Sequence, residues 1–173
     1  LRSRGLGDVY KRQASKGPSG QTREISAREF GRTLPPVGFV QFCVSNPEDC
    51  KAKGGKTFKL AMSPERWNLL YQVNTYVNGK IAPMSDQDLY GEPEFWAYPT
   101  DAGDCEDYLL LKKRYLENLG FPASALLITV VLVYTSQGPS VLIVMRTMDK
   151  VVIANQNESV MTKTDTGYRS VNN

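Results

Sequence analysis

The chain of 173 residues is 41% hydrophobic and 23% charged, which fits one compact domain and excludes a disordered or collagen-like chain. It contains no histidine, and this excludes, for the sequence as it stands, a Ser-His-Asp or Cys-His triad, a His-ligated zinc site and an imidazole relay. Of the net charge of +3, residues 1–28 hold 7 Lys/Arg and 2 Asp/Glu; the 14 basic and 16 acidic residues that remain make the body mildly acidic, so no nucleic acid is expected as partner.

Leu1 to Gln13 has neither a helical nor a strand period and runs into the Gly/Ser/Pro-rich stretch Ala14 to Gln21, so residues 1–28 are expected to form a disordered tail. This start is similar to the peptide read when sequencing-adapter DNA is translated in frame. It is set aside as an adapter-derived artefact, which leaves one domain over residues 29–173. A basic tail that grips an acidic partner is the other reading. No apolar run reaches the ~18 residues of a membrane span, and a signal peptide, if the gene encodes one, is expected to have been lost or overwritten here.

Pro35 and Pro36 lead into the apolar stretch Val37 to Val44. Ser63-Pro64-Glu65-Arg66 then carries a helix start, with Ser as N-cap and Pro at the first helical position, where a missing N–H costs nothing. Trp67, Leu70, Tyr71, Val77 and Ile81 recur at helical spacing until Gly79 and Pro83 close the element. A turn-rich acidic stretch, Met84 to Asp104, contains the aromatic cluster Phe95-Trp96-Ala97-Tyr98. A second helix is predicted from about Asp104 to Leu119, with Tyr108, Leu109, Lys112, Tyr115, Leu116 and Leu119 facing inward and Gly120 as C′. Ala125 to Tyr134, Val141 to Met145 and Val151 to Ala154 are β-branched runs separated by turn residues and predict an antiparallel meander, with Tyr168 to Val171 as a short edge strand. Helices followed by a sheet make the fold class α+β, the second helix packed on the sheet.

Three cysteines stand in different settings. Cys43 and Cys50 bound a loop that can close into a disulfide in an exported protein. Cys105 opens the second helix inside Gly103-Asp104-Cys105-Glu106-Asp107-Tyr108, where unpaired N–H groups and the helix dipole stabilise a thiolate. The plain alternative is a small buried residue, and the adjacent carboxylates oppose the dipole by raising a thiol pKa. Asp104, Glu106 and Asp107 also read two ways: as solvated charges of a first helical turn, the favoured reading, or as hard oxygen ligands for calcium.

Glu94-Phe95-Trp96-Ala97-Tyr98-Pro99, Gly103-Asp104-Cys105-Glu106-Asp107-Tyr108 and Leu119-Gly120-Phe121-Pro122 through Val131 resemble the bacterial transglutaminase-like cysteine peptidases, from about Phe30 to the end. The resemblance implies a papain/transglutaminase-like α+β fold and a Cys-His-Asp triad, with the cysteine on the helix and its partners on the sheet. It makes Cys105 the nucleophile position and Asp104 and Glu106 the candidate calcium ligands. A peptide groove near Trp96 and Tyr98 is expected to bind substrate. Some relatives are periplasmic proteases that clip surface adhesins, which implies a protein or peptide substrate and a periplasmic or secreted location; the Cys43/Cys50 pair agrees, since a cytosol would keep it reduced.

The sequence departs from the family at both partners. Gly138-Pro139-Ser140-Val141-Leu142 matches the stretch that carries the histidine, and Val152-Ile153-Ala154-Asn155 the one that carries the aspartate, so Pro139 and Ala154 stand in their places. Asn155 could orient an imidazole, but there is none; Lys150 or Tyr134 as a substitute base has no support. Little or no peptidase activity is expected, because general acid–base help is worth roughly 10²–10⁴ in rate. True degeneration and sequence error compete as explanations, each loss being a single A-to-C change in its codon. An impaired thiol endopeptidase is the leading reading, a non-catalytic peptide- or adhesin-binding module the alternative; nothing in the residues selects amine transfer over hydrolysis.

Overall fold

The structure is a computed structural model. It describes residues 34–51 and 59–129 in full and, as backbone, residues 130–131, 140–146, 151–154, 160–164 and 167–171. The tail 1–28 lies outside the described residues.

Pro36 cannot continue a helix backwards, and α1 (Val37–Ser45) begins directly after it. The stretch is apolar on both faces, which hides its period in the sequence: Gly38 and Phe42 are buried, whereas Val37 and Val44 are exposed. Asn46 ends the helix, its backbone N–H and its side-chain amide both donating to the Phe42 carbonyl, and Pro47 opens the one-turn α2 (Pro47–Cys50). Cys43 and Cys50 are bonded, with Cα atoms 5.6 Å apart, so the two helices form one clamp.

The expected cap starts α3 (Pro64–Lys80), where Ser63 Oγ accepts the Arg66 N–H at 3.3 Å. Leu70, Val73, Asn74 and Val77 are its buried face. Gly79 lies within the last turn rather than closing the helix. The acidic stretch is not all loop. It holds β1 (Ala82–Pro83), the one-turn α4 (Asp86–Leu89) and β2 (Ala102–Gly103), and β1 pairs in parallel with β2 through Ala82 opposite Ala102 and Pro83 opposite Gly103.

Helix α5 (Cys105–Asn118) is the centre of the molecule, packed against α3 and against β4. Tyr108, Leu109, Lys112 and Leu116 are buried as predicted, and Gly120 takes φ +88° as the C′ residue. Leu119 was expected inward and is exposed, because the chain leaves the helix at this residue. After a 3₁₀ turn, β3 (Leu126–Val131), β4 (Ser140–Arg146), β5 (Val151–Ala154), β6 (Val160–Thr164) and β7 (Gly167–Val171) form an antiparallel meander in chain order. Ile128 pairs with Ile143, and Ile143 with Ala154. The α+β expectation is thus met, with β6 as an added strand.

The core joins Leu70 and Val77 of α3, Leu109, Leu110 and Leu116 of α5, and Ala125 and Leu126 at the sheet. Lys112 is buried inside this packing. Its Nζ donates to Asn74 Oδ1 at 2.8 Å and lies 5.7 Å from the centre of the Tyr108 ring. Burial disfavours the ammonium and lowers the Lys112 pKa from 10.5 to about 7. A folded-state pKa below the unfolded one gives stability that is present above pH 10.5 and lost as the pH falls toward 7. Wild type should therefore gain about 2 kcal/mol relative to Lys112→Met between pH 7 and pH 9 in urea denaturation. A difference independent of pH would show that the ammonium is not desolvated.

Candidate active site

Asp104 is the N-cap of α5. Its backbone is extended and its carbonyl accepts the Tyr108 N–H at 3.1 Å, but its side chain makes no capping bond. Cys105 is the first helical residue, half-buried and not disulfide-bonded, and its Sγ donates to Glu106 Oε2 at 2.9 Å. The helix N-terminus favours a thiolate, whereas a carboxylate that accepts from the thiol favours the protonated form.

The carboxylates beside it are not solvated helix charges, and that reading is corrected. Glu106 and Asp107 are buried, Asp107 completely. Asp107 Oδ1 turns back to accept the Ala97 N–H at 2.8 Å. Asp86, from α4, is 2% exposed and its Oδ2 accepts the Phe95 N–H. The other oxygens of these groups, Asp86 Oδ1 and Asp107 Oδ2, are buried without a hydrogen-bond partner, and so is Asp104 Oδ1. One carboxylate oxygen from each of Asp86, Asp104 and Asp107 lies within 4.8 Å of the other two; an overlapping group joins Asp104 and Glu106 to the Cys105 sulfur.

Burial pushes Asp107 up to about 7, and the charges of Asp104 and Asp86 add to the shift. Asp104 also rises to about 7, from burial first and then from its hydrogen bond with Glu106 and that group's charge. Asp86 is raised by burial. Gly103 belongs to the same arrangement, since a Cβ there would lie 2.6 Å from Asp107 Oδ2.

Trp96 and Tyr98, the expected substrate-binding rings, take different places. Trp96 is 4% exposed, edge-on to Phe39 at 5.4 Å, and its Nε1 donates to Glu94 Oε1. Tyr98 packs edge-on to Phe42, donates to Asp49 Oδ2 at 3.0 Å and lies under the Arg114 guanidinium at 4.5 Å. It lines a small cavity with Leu110 and Arg114, along the middle of α5 rather than at its head. The exposed aromatics of this region are Phe95 and Tyr90, tilted 51° to each other with ring centres 4.6 Å apart; burial first, and then the charges of Asp107, Asp86 and Asp104, raise the pKa of the Tyr90 hydroxyl.

Ala154 ends β5, between Ile143 of β4 and Val160 of β6. Pro139, Tyr134, Lys150 and Asn155 lie outside the described residues. Sequence reasoning missed Asp86, and the one available signal was composition: residues 84–107 hold eight Asp/Glu and no Lys/Arg.

A cysteine heading a central helix that is packed on an antiparallel sheet is the layout of papain- and transglutaminase-like thiol proteins. Residues 29–173 match the bacterial transglutaminase-like cysteine proteinases, and the chain belongs to that family. Calcium-bound LapG of Legionella pneumophila is similar in structure, with a TM-score of 0.51 and 19% identity. The match covers 64% of this chain and spans 65% of LapG, just under two thirds of it. A second LapG structure is 18% identical over 64% of this chain and 71% of its own, with a TM-score of 0.48. At such identity the likeness establishes the fold. No curated protein matches the chain.

Because Asp107 fills the space beside Gly103, Gly103→Ala should destabilise the protein by about 1–3 kcal/mol in urea denaturation. Gly79→Ala, in a helix and with nothing within 4 Å of the added Cβ, should stabilise it by about 0.5–1 kcal/mol. Equal effects at the two glycines would refute the tight contact.

Proposed function

We propose that the chain is a thiol endopeptidase of this family, acting on a protein substrate through Cys105, with turnover impaired by Pro139 and Ala154. The observation that carries the reading is Cys105 itself: a half-buried cysteine, free of any disulfide, at the first position of the central helix. In hydrolysis the Cys105 sulfur bonds to the scissile carbonyl carbon and the amine leaves with a proton; water then releases the acid and restores the thiol. An imidazole takes the thiol proton and returns it to the amine, and the chain has none. The dipole of α5 assists the first of these tasks and not the second.

The family's relation to calcium has a physical counterpart in this chain. Buried carboxylate oxygens without donors suit a hard cation, and Asp104 can serve with Glu106 or with Asp86 and Asp107. When bound, calcium supplies positive charge that holds these carboxylates ionised and fixed. The Cys43–Cys50 disulfide supports a periplasmic or secreted location. No helix among the described residues is long and apolar enough to cross a membrane.

A non-catalytic module that holds a peptide or an adhesin segment is the second reading. Its support is the exposed Tyr90–Phe95 pair beside acidic residues, a surface suited to apolar and basic side chains. In that reading, as in the first, Trp96 holds the loop that carries Phe95 by packing on Phe39.

The double substitution Pro139→His with Ala154→Asp separates the two. Digestion of a peptide library should rise at least 100-fold over the parent chain and disappear again when Cys105→Ser is added. Iodoacetamide should label Cys105 in the parent. Equal turnover by parent and double variant would refute the impairment, and peptide binding with no hydrolysis in the double variant would establish the module.

A further inference from the structure

We infer that the Tyr90 and Phe95 rings form a specificity subsite for a basic side chain of the substrate, arginine above all, a few residues from the scissile bond. The inference rests on the reading that the chain is a thiol endopeptidase acting through Cys105, and it names the class of protein segment that the site selects.

The two rings are held open to water by the backbone. Tyr90 ends α4 and Phe95 lies five residues on, yet their ring centres are 4.6 Å apart with planes tilted by 51°. Gly91, between them, takes φ +75°, which a residue with a Cβ rarely adopts, and turns the chain back. Asp86 fixes both ends of this turn: its carbonyl accepts the Tyr90 N–H at 2.7 Å and its Oδ2 accepts the Phe95 N–H. Tyr90 is 37% and Phe95 38% exposed, whereas the next ring, Trp96, is buried against α1. A rigid, solvent-facing pair of π faces attracts a cation.

Charge selects which side chain the rings take. Asp88, Glu92 and Glu94 flank them in sequence and are exposed, and residues 84–107 contain no Lys or Arg. These three carboxylates are separate from the buried ones, so their charge does not depend on what the buried ones hold. A guanidinium lies flat on a ring while its N–H groups reach carboxylates beside it. An aliphatic side chain uses the rings alone, and an acidic one is repelled. Position ties the pair to the chemistry. The Phe95 N–H is bonded to the Asp86 carboxylate, an Asp86 oxygen lies within 4.8 Å of one of Asp104, and an Asp104 oxygen lies within 4.8 Å of the Cys105 sulfur. That path is spanned by about five residues of an extended peptide, at roughly 3.3 Å each.

The test is fluorescence anisotropy of the full parent chain with fluorescein-labelled octapeptides of alanine and serine, each carrying a single Arg, Lys, Leu or Glu at one position. At one preferred position Arg should strengthen binding at least about fivefold over Leu, and further over Glu. Tyr90→Ala and Phe95→Ala should each remove most of this preference. Phe95→Tyr, which keeps a π face, should retain it, as should Tyr76→Ala at an exposed ring of α3. In a peptide-library digest by the Pro139→His, Ala154→Asp chain, Arg and Lys should be enriched at one fixed place within about five residues of the cut, and Phe95→Ala should abolish the enrichment while cutting continues. Leu binding as well as Arg at every position, or an Arg preference that survives both ring-to-alanine substitutions, would overturn the subsite and leave the peptidase reading standing. An intact Arg preference in the parent with no cutting by the double variant would overturn the peptidase reading and leave the rings as a binding site for a basic segment.

Discussion

Everything near Cys105 is arranged around one electrostatic constraint, the burial of acidic groups at the N-terminus of a single helix. The positive end of α5 lowers the cost of placing Glu106 and Asp107 in its first turn, but the dipole is worth only about 0.3–1 kcal/mol per group, or about twice the upper value where partly buried. That is too little to hold Asp104 and Asp107 ionised against burial, and both are raised to about 7. The backbone supplies the rest locally. The Ala97 and Phe95 N–H groups each satisfy one oxygen, and it is for these contacts that the aromatic loop crosses the head of the helix. The close approach of β2 follows from the same constraint, since only a glycine at 103 leaves room for the Asp107 carboxylate.

Packing beside the same end of α5 resists this crowding. Tyr108, one turn into α5, donates its hydroxyl to the Ile81 carbonyl at the end of α3 and so fixes the helix relative to the segment that leads to α4. Trp96 fills the space above Gly38, and the Cys43–Cys50 clamp holds α1 and Asp49 where Asp49 can accept from Tyr98. The loop is thereby held on two sides, by carboxylates at its N–H groups and by aromatic packing at its alternate side chains. Of its three rings, Phe95 alone is directed to neither α1 nor the middle of α5, and it is exposed.

Local chemistry explains what the sequence discloses. Ser63-Pro64 marks a helix start because the cap and the proline act within four residues, and the inward face of α5 is legible because period 3.6 survives in Tyr108, Leu109, Lys112 and Leu116. Even the burial of Lys112 follows from its position in that period. Where both faces of an element are apolar, as in α1, the pattern carries no phase, and the segment reads only as hydrophobic. Val160 to Thr164 is short, and its polar residues Thr162, Lys163 and Thr164 are consecutive, so the strand period is missing and β6 escapes notice. Asp86 is invisible for a different reason. Its significance is a contact with Asp104 and Phe95 made by the tertiary path of the chain, and nothing in Ser85-Asp86-Gln87-Asp88 distinguishes it from an ordinary helix cap.

The buried aspartates and the two positions proposed to lack the triad partners belong to different parts of the chain. Position 154 is the last residue of β5 and position 139 immediately precedes β4, so both positions fall in the sheet half of the sequence. Asp86, Asp104 and Asp107 belong to α4 and the head of α5, and their hydrogen bonds run to the loop at Phe95 and Ala97. Among the described residues, the hydrogen bonds named for Asp86 and Asp107 end on that loop and not on the sheet. The desolvation of the carboxylates, and their demand for a compensating positive charge, is therefore set by α4, the head of α5 and the loop that crosses it.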